Sequence, residues 1–378
     1  MTAPWPVEGV RGRWLEDLPD SPWRWFGLPG WLFWRPIIAI RNVAWDRVLT
    51  PTRLPVPVIA IGNLTAGGTG KTPAVRLVCG LLAQLGLKPA VLMRGYRAAP
   101  GETVNDEARE LAEWPVVSDP DRVRGGRKAL ADGADCLVLD DGFQHRRLHR
   151  DLDLVLIDAT RPWGAADGGR GAVLPLGFRR EGLSGLARAQ AFWLSRAGLV
   201  PPERITAIRA RLPPDRLIIQ DQLGDLLLEP LTPGLPQTTS LPLPTSSPQA
   251  GQPVVLASGI GNPANFAATA LAAGLTIARE LRFPDHHRYD ARDVAILANR
   301  VGRAAGSGSG SAHAGLVITG KDAVKLRDLL PPALAARTSI LHGQVGLGDV
   351  QTSALRDLLR QTLAAAGASA RSAPRTPT

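Results

Sequence analysis

The amino-acid sequence predicts an α/β protein of the phosphate-loop NTPase type, with a doubly wound sheet and a second, smaller α/β lobe. Short, continuous apolar runs alternate with helical stretches, a pattern typical of parallel strands buried on both faces. A glycine-rich loop lies between the first of these runs and a helix, where a phosphate-binding loop belongs. The 378 residues, 44% of them hydrophobic, are enough to form two cores.

The predicted elements follow in chain order. A helix is expected over Gly70–Leu85, directly after the glycine-rich loop. Strands are expected at Val56–Ile61, Pro89–Met93, Cys136–Leu139, Leu152–Ile157, Val254–Ala257 and Leu316–Ile318. Because residues 233–252 are rich in Pro, Ser and Thr, they predict a flexible loop between two domains. We therefore expect a phosphate-loop domain at 54–232, a C-terminal α/β lobe at 253–365 and a disordered tail at 366–378.

The first 53 residues differ in composition from the rest of the chain. Most of the ten tryptophans lie here, interleaved with arginines. Tryptophan favours the membrane interface, and arginine can reach lipid phosphates, so residues 1–53 predict a membrane-associating segment with a helix over 31–48. The alternative is a helix whose tryptophans pack on the core. No run reaches the roughly 18–20 apolar residues of a spanning helix, so a peripheral association is expected.

Charge and cysteine content narrow the function classes. The net charge of +10 favours anionic partners, but no nucleic-acid-binding motif accompanies it, so we expect no nucleic acid. Cys79 and Cys136 lie in apolar runs and form neither a disulfide framework nor a metal-ligand spacing. No signal peptide is recognised. These features fit a cytoplasmic protein at a membrane surface.

The glycine-rich loop has the residues that bind nucleotide phosphates. Its residues are Thr65, Ala66, Gly67, Gly68, Thr69, Gly70, Lys71 and Thr72. Glycines let backbone N–H groups point at phosphate oxygens, and the following helix adds positive potential at its N-terminus. Lys71 would reach the β- and γ-phosphates of ATP, and the Thr72 hydroxyl would ligate Mg²⁺. Thr65 replaces the usual first glycine of this loop.

A pair of aspartates follows the predicted strand at Cys136–Leu139. Asp140 and Asp141 begin a run that continues Gly-Phe-Gln-His. A carboxylate at the end of a strand beside a phosphate loop is where such enzymes hold Mg²⁺, and adjacent aspartates are costly unless a cation neutralises them. The alternative is an ordinary Asp-Asp-Gly turn at the end of a strand.

Taken in order, these segments resemble the tetraacyldisaccharide 4′-kinase family. The resemblance rests on Gly62-Asn63-Leu64-Thr65 before the loop, on the run 140–145, and on Phe283, Asp285 and His286. It covers about residues 55–326. The loop at 178–182 departs from the family's pattern while retaining Arg180 and Glu181.

The resemblance implies an activity and further site residues. The reaction would be ATP-dependent phosphorylation of the 4′-hydroxyl of a tetraacylated glucosamine disaccharide 1-phosphate, giving lipid IVA, at the cytoplasmic face of the inner membrane. Asp106 would accept the hydroxyl proton, with His286 beside it. Glu181 is a further candidate Mg²⁺ ligand, and Arg180 and His145 are candidates for binding phosphate or substrate. No obligate protein partner is expected.

Two other functions fit a phosphate loop behind a membrane-facing segment. One is an ATPase or GTPase of the metal-insertion or partitioning type, although such proteins often have a signature lysine where this chain has Ala66. The other is a nucleotide-dependent membrane-binding switch without catalysis, which would need no proton acceptor.

Overall fold

Runs of buried apolar residues form two sheets, largely of parallel strands, in the computed structural model of the chain. The structure describes residues 4–10, 25, 27–66, 70–95, 111–164, 171–231, 253–285, 287–305 and 314–372. Its strands are β1 Val7–Gly9, β2 Val58–Asn63, β3 Pro89–Met93, β4 Val116–Ser118, β5 Cys136–Asp140, β6 Leu152–Asp158, β7 Ala191–Ser195, β8 Leu217–Gln220, β9 Gln222–Pro230, β10 Pro253–Ser258, β11 Thr276–Arg282, β12 Gly315–Thr319 and β13 Thr338–Gly346.

The α-helices flank these strands in sequence. They are α1 Leu28–Arg47, α2 Lys71–Gln84, α3 Arg122–Ala131, α4 Pro202–Arg209, α5 Pro263–Ala272, α6 Ala291–Ala305, α7 Gly320–Leu326, α8 Pro332–Ala335 and α9 Asp349–Ser372. All the strands predicted from apolar runs are present, most of them with bounds shifted by one or two residues. The α/β fold class with parallel sheets is confirmed.

The chain divides into two compact units. One, which we call the phosphate-loop unit, lies within Trp23–Gln222 and Leu347–Thr378, and the other, the second unit, lies within Met1–Pro22 and Leu223–Gly346.

The phosphate-loop unit is built on a parallel seven-stranded sheet, in the order β4-β3-β5-β2-β6-β7-β8. Every residue of β2, β3, β5, β6 and β7 is buried, which explains why these strands read as unbroken apolar runs. After β2 the chain crosses to one side of this strand to form β3, and it later forms β6 on the other side. Ligands of open α/β sheets bind at the carboxyl ends of the strands beside such a switch point.

The second unit has a six-stranded sheet in the order β1-β11-β10-β12-β13-β9. β10 lies between β11 and β12, in parallel with both. Apolar clusters cover both faces, one with Phe283 and Leu297 and the other with Phe266 and Leu341.

The boundaries of the units differ from the predicted domains at both ends of the chain. β1 lies in parallel beside β11, and Trp5 Nε1 donates to Glu280 Oε2 at 3.2 Å, so the described residues 4–10 belong to the second unit. At the other end, α9 joins the phosphate-loop unit because Leu355 and Leu359 are fully buried in the cluster around Cys79. This helix also extends to Ser372, into the predicted tail. The predicted flexible loop at 233–252 lies outside the described residues.

Candidate functional site

The phosphate loop connects β2 to α2 at the switch point of the sheet. α2 begins at Lys71 because Gly70 adopts the left-handed conformation, with φ of +83°, which suits glycine. The first turn of α2 contains no acidic residue, and no side chain among the described residues caps it, so its N–H groups and positive potential are available to an anion. Lys71 and Thr72 are thus the first two residues of the helix. Gly67, Gly68 and Thr69 lie outside the described residues.

A neighbouring chain segment fixes the start of this loop. Ala66 N donates to Phe178 O at 2.7 Å, and Arg180 N donates to Leu64 O at 2.8 Å. Thr65, which is buried, lies opposite Arg179 in an antiparallel bridge. The segment with Arg180 is therefore held in register with the phosphate loop, an arrangement that sequence spacing alone does not indicate.

The Asp-Asp-Gly-Phe turn packs directly against β2. A Cβ on Gly62 would lie 2.7 Å from Phe143 Cβ, and a Cβ on Gly142 would lie 2.9 Å from Ala60 Cβ. Both glycines are therefore required by the close approach of the turn to the strand. Asp140 ends β5 next to Ile61 of β2, which brings the turn to the same edge of the sheet as the phosphate loop.

Asp141 lies between two cations. Its backbone is left-handed, with φ of +54°. Its Oδ2 accepts a hydrogen bond of 2.6 Å from Arg180 Nη1, and its Oδ1 lies 3.6 Å from Lys71 Nζ. Burial raises the pKa of Asp141, but the charges of Lys71 and Arg180 outweigh burial and hold it below its usual value. The structure thus brings together three of the predicted site residues, with the carboxylate ionised at neutral pH.

Asn63 and Arg122 were not predicted from the sequence as site residues. Asn63 Oδ1 lies 3.5 Å from Lys71 Nζ, and its Nδ2 donates to Thr65 O at 2.6 Å. Arg122 Nη2 lies 3.4 Å from Asp140 O, and its charge acts on both aspartates. Asn63 falls within the Gly-Asn-Leu-Thr signature and could have been found from it, whereas nothing in the local sequence marks Arg122.

Glu181 is surrounded by protein donors. It is 2% exposed, and Arg188 Nη2 lies 2.9 Å from its Oε1 and 3.0 Å from its Oε2. Gln144 Nε2 donates to Oε1 at 3.2 Å, and Asn42 Nδ2 donates to Oε2 at 3.1 Å. Both oxygens are therefore engaged, and in this arrangement Glu181 anchors neighbouring side chains. Its predicted role as a metal ligand stays a prediction.

His145 has an electrostatic setting that its sequence position did not indicate. Burial, followed by the charges of Arg122 and Arg150, lowers its pKa to about 4. The imidazole is therefore neutral at pH 7 and cannot bind phosphate as a cation. Arg150 Nη1 donates to the His145 backbone O at 2.7 Å, which helps to fix the end of the Asp-Asp-Gly-Phe-Gln-His run.

The two residues predicted to handle the acceptor proton, Asp106 and His286, lie outside the described residues. Within the second unit, the residues that follow His286 make defined contacts. His287 Nε2 lies 2.9 Å from Asp293 Oδ2, and Tyr289 OH donates to Asp322 Oδ1 at 2.9 Å.

Asp322 ties together several chain segments of the second unit. It is fully buried and accepts hydrogen bonds from the Thr319 hydroxyl at 2.7 Å and from Gly259 N at 3.1 Å, in addition to Tyr289. Burial raises its pKa. This aspartate ends the run Thr319-Gly320-Lys321-Asp322, and its contacts are those of a clamp between β10, β12 and the segment after β11.

The described residues bear on metal and membrane binding in two ways. They contain no group of three or more His, Cys, Asp or Glu side chains arranged to hold a metal ion. Nor do the described ranges include a helix that is long and apolar enough to cross a bilayer.

Comparison with known proteins identifies relatives of the whole chain. The family model for the tetraacyldisaccharide-1-P 4′-kinase, LpxK, matches residues 23–364. A tetraacyldisaccharide 4′-kinase of Anaeromyxobacter dehalogenans is 37% identical over 89% of this chain and 90% of its own length. One of Bdellovibrio bacteriovorus is 34% identical over 85% of this chain and 96% of its own length.

A solved structure shares the fold. It is a crystal structure described as the "apo" form of LpxK from Aquifex aeolicus in complex with ATP. Its sequence is 25% identical to this one, the match covers 89% of this chain and 98% of that chain, and the TM-score is 0.62. The family predicted from the sequence motifs is confirmed, and with it the class of enzyme, a kinase. The chain belongs to the tetraacyldisaccharide-1-P 4′-kinase family.

Proposed function

We propose that the protein transfers the γ-phosphoryl group of ATP to the 4′-hydroxyl of a tetraacylated glucosamine disaccharide 1-phosphate, giving lipid IVA in lipid A biosynthesis. The observation that supports this most directly is the arrangement of Lys71, Asp141 and Arg180 at the mouth of the phosphate loop. The acceptor is proposed from the family, whose members are named for it.

Charge and backbone geometry indicate which residues would bind the nucleotide. Lys71 and the N–H groups at the start of α2 would bind the β- and γ-phosphates, as in the phosphate loops of other NTPases. Arg180 lies on the other side of Asp141 and adds a second cation within hydrogen-bonding distance of that carboxylate. Charge that develops on the transferring phosphoryl group would be stabilised by these fixed donors, since they need not reorganise during the reaction.

The residues present also fit Mg²⁺. Asp141 Oδ1 lies 3.6 Å from Lys71 Nζ, too far for a hydrogen bond, so that oxygen keeps lone pairs for a metal ion. In such sites Mg²⁺ is usually held by one or two carboxylates together with phosphates and water. Thr72, Asp140 and Asp141 would hold it, and the bound ion would neutralise charge on the β- and γ-phosphates. Because Glu181 is engaged by protein donors, we assign it an indirect part.

Asp106 and His286 are the residues that we propose to act on the acceptor hydroxyl. A sugar hydroxyl is a weak nucleophile at neutral pH, so a group that accepts its proton assists transfer. We expect Asp106→Asn to fold and bind ATP but to lose most turnover, and His286→Ala to lose turnover without losing ATP affinity. The double variant should lose much less than the product of the two single losses, because residues that act as a unit are non-additive. An active Asp106→Asn enzyme would instead indicate that Asp106 only caps a helix, since asparagine caps a helix about as well as aspartate does.

Helix α1 is the element suited to a lipid surface. None of its residues is buried, although its sequence is largely apolar. Its exposed side chains include Phe33 at 75% and Ile40 at 69% exposure, with Leu32, Trp34 and Ile37 also exposed. An apolar helix surface flanked by arginines is typical of helices that lie in the membrane interface. We infer peripheral association with the cytoplasmic face of the inner membrane, where the acylated substrate would be met.

Point substitutions test the membrane role better than truncation, because the described residues 4–10 are part of the second unit's sheet. Phe33→Ser combined with Ile40→Ser removes two side chains whose full burial would each stabilise binding by about 1.5–3 kcal/mol. Flotation with anionic liposomes should fall by about tenfold or more. Val350→Ser, at an 84% exposed position on α9, is the matched control and should bind normally. Equal flotation of all three proteins would contradict the assignment.

The test of the proposed function is direct. The purified protein is incubated with ATP, Mg²⁺ and the detergent-dispersed disaccharide lipid, and products are identified by mass. The expected product is heavier by one phosphoryl group. ATP hydrolysis without a phosphorylated lipid would favour a phosphate-loop ATPase, and nucleotide-dependent liposome binding without any turnover would favour a membrane switch.

A further inference from the structure

The polar side of α1 makes contacts that membrane association does not require. Arg41 Nη2 donates to Gln144 O at 2.5 Å, and Arg146 Nη1 donates to Asn42 O at 3.1 Å. Arg146 Nη2 also pairs with Asp46 Oδ1 at 2.5 Å. These polar contacts help to hold the helix to the rest of its unit.

One of these contacts enters the phosphoryl-transfer site. Asn42 Nδ2 donates to Glu181 Oε2 at 3.1 Å, and the other oxygen of Glu181 accepts from Gln144 Nε2 at 3.2 Å. Glu181 is 2% exposed, so water cannot readily replace the amide of Asn42 as a donor. Asparagine does not stabilise the helix itself at this position, because its helix propensity is lower than that of alanine or leucine.

The contacts continue from Gln144 to the cations of the site. Gln144 Oε1 lies 3.4 Å from Arg180 Nη1, and that same nitrogen donates to Asp141 Oδ2 at 2.6 Å. Asp141 in turn faces Lys71 Nζ at 3.6 Å. The two ends of the Gln144 amide thus connect Glu181 with Arg180, and the series of side chains runs without a gap from α1 to the phosphate-loop lysine.

We propose that Asn42 is a positioning residue of the phosphoryl-transfer site, which acts through Glu181 and Gln144 on the orientation of Arg180 and Asp141. The helix that presents its apolar surface to lipid would thereby also set the geometry of the groups that hold nucleotide and metal. This inference rests on the proposed function for its meaning, but its contacts are independent of the acceptor's identity. Loss of a direct partner of a metal ligand typically costs about 10- to 100-fold in metal affinity or activity, and we expect the effect of Asn42, which acts through other side chains, at the lower end of that range.

The test compares two side chains of α1, Asn42 and Asp46, that both contact the rest of the unit. Asn42→Ala removes the donor to Glu181, whereas Asp46→Ala removes an ion pair of the same helix with Arg146 and leaves the Asn42 Nδ2 donor to Glu181 in place. We expect Asn42→Ala to lower kcat by about tenfold and to raise the KM for ATP measured with Mg²⁺, since both depend on the geometry of the groups that hold nucleotide and metal. Asp46→Ala should keep kcat within about twofold. Asn42→Leu, similar in size but without the N–H donor and without a charge, should behave like Asn42→Ala even if the alanine variant folds poorly.

A second readout does not depend on turnover. Calorimetric titration with ATP, with and without Mg²⁺, gives the gain in affinity that the metal supplies. That gain should shrink in Asn42→Ala by the factor lost in kcat, while metal-free ATP binds as in the wild type and the midpoint of thermal unfolding is unchanged. A wild type that makes no phosphorylated lipid would refute the proposed function, and the titration would still decide the role of Asn42. Unchanged kcat and metal-dependent affinity in Asn42→Ala, or equal losses in Asp46→Ala, would overturn the inference.

Discussion

Asp141 and Asp322 occupy similar positions in the two units but have opposite electrostatic surroundings. Each follows a buried strand of a parallel sheet, β5 in the phosphate-loop unit and β12 in the second unit. For Asp141, the charges of Lys71 and Arg180 outweigh burial and lower the pKa. For Asp322, burial outweighs its hydrogen bonds with Thr319, Gly259 and Tyr289, and the pKa is raised.

The two carboxylates differ in their donors as well as in their exposure, because the Asp141 side chain is 25% exposed whereas Asp322 is fully buried. Cationic partners favour the ionised carboxylate, whereas neutral hydroxyl and amide donors only partly offset the cost of burying its charge. An ionised carboxylate between cations can hold a metal ion and face phosphates. A clamp of neutral donors fixes chain segments relative to one another. A buried aspartate after a parallel strand is therefore a chemical site only when cations converge on it.

The largest expected effect is that of removing a cation from Asp141. Lys71→Ala takes away the charge that would stabilise the transferring phosphoryl group, and we expect kcat to fall by more than about a hundredfold. Lys88→Ala, at an exposed lysine of the same unit, is the control and should leave the rate unchanged. Steady-state kinetics with the detergent-dispersed lipid provide the measurement. Near-normal turnover by Lys71→Ala would remove the basis for treating Asp141 and its cations as the reactive centre.

Matched substitutions at the two aspartates separate chemistry from stability. Asp141→Asn loses the negative charge between Lys71 and Arg180, so kcat should fall by about tenfold to a hundredfold with little change in the unfolding midpoint. Asp322→Asn leaves at least one of its buried donors without an acceptor and should lower the free energy of unfolding by about 1–3 kcal/mol. Its kcat, measured well below the unfolding temperature, should fall less than that of Asp141→Asn. A large loss of unfolding free energy in Asp141→Asn, together with a larger loss of kcat in Asp322→Asn, would contradict the assignment of Asp141 to the reactive site and of Asp322 to a structural clamp.

Much of this contrast could not be predicted from the sequence, although the fold could. Unbroken apolar runs indicate parallel strands because both faces of each strand are covered, and the runs at 89–93 and 152–157 were predicted almost to the residue. The phosphate loop and the Asp-Asp pair were also recognisable, because strand, glycine-rich loop and helix follow one another locally. The short β1 was missed, since three residues beside a distant strand leave no periodic signal.

The surroundings of the site depend on contacts between residues far apart in the chain. The bond from Asn42 to Glu181 joins residues 139 positions apart, and that from Gln144 to Glu181 spans 37 positions. Such separations cannot be read from one sequence. Helix α9 shows the same limit, because the sequence predicts one C-terminal lobe over 253–365, whereas Leu355 and Leu359 pack in the core of the phosphate-loop unit.

The smallest expected effect concerns the positive field around the Asp-Asp turn. A nearby cation lowers the pKa of an acid and of a base alike. His145 is the base at this site. Burial, together with the charges of Arg122 and Arg150, lowers its pKa to about 4 from the ordinary 6.5. Between these values the unfolded chain binds a proton that the folded protein does not, so this residue makes stability fall as pH drops from about 6.5 towards 4. His145→Gln removes that proton uptake. We expect the loss of unfolding free energy between pH 8 and pH 5 to be smaller in the variant by on the order of 1 kcal/mol. Urea titrations at the two pH values measure it, with His342→Gln in the second unit as the control for losing a histidine. Parallel losses in the wild type and His145→Gln would show that burial and the two arginines do not lower the pKa of His145 in the folded protein.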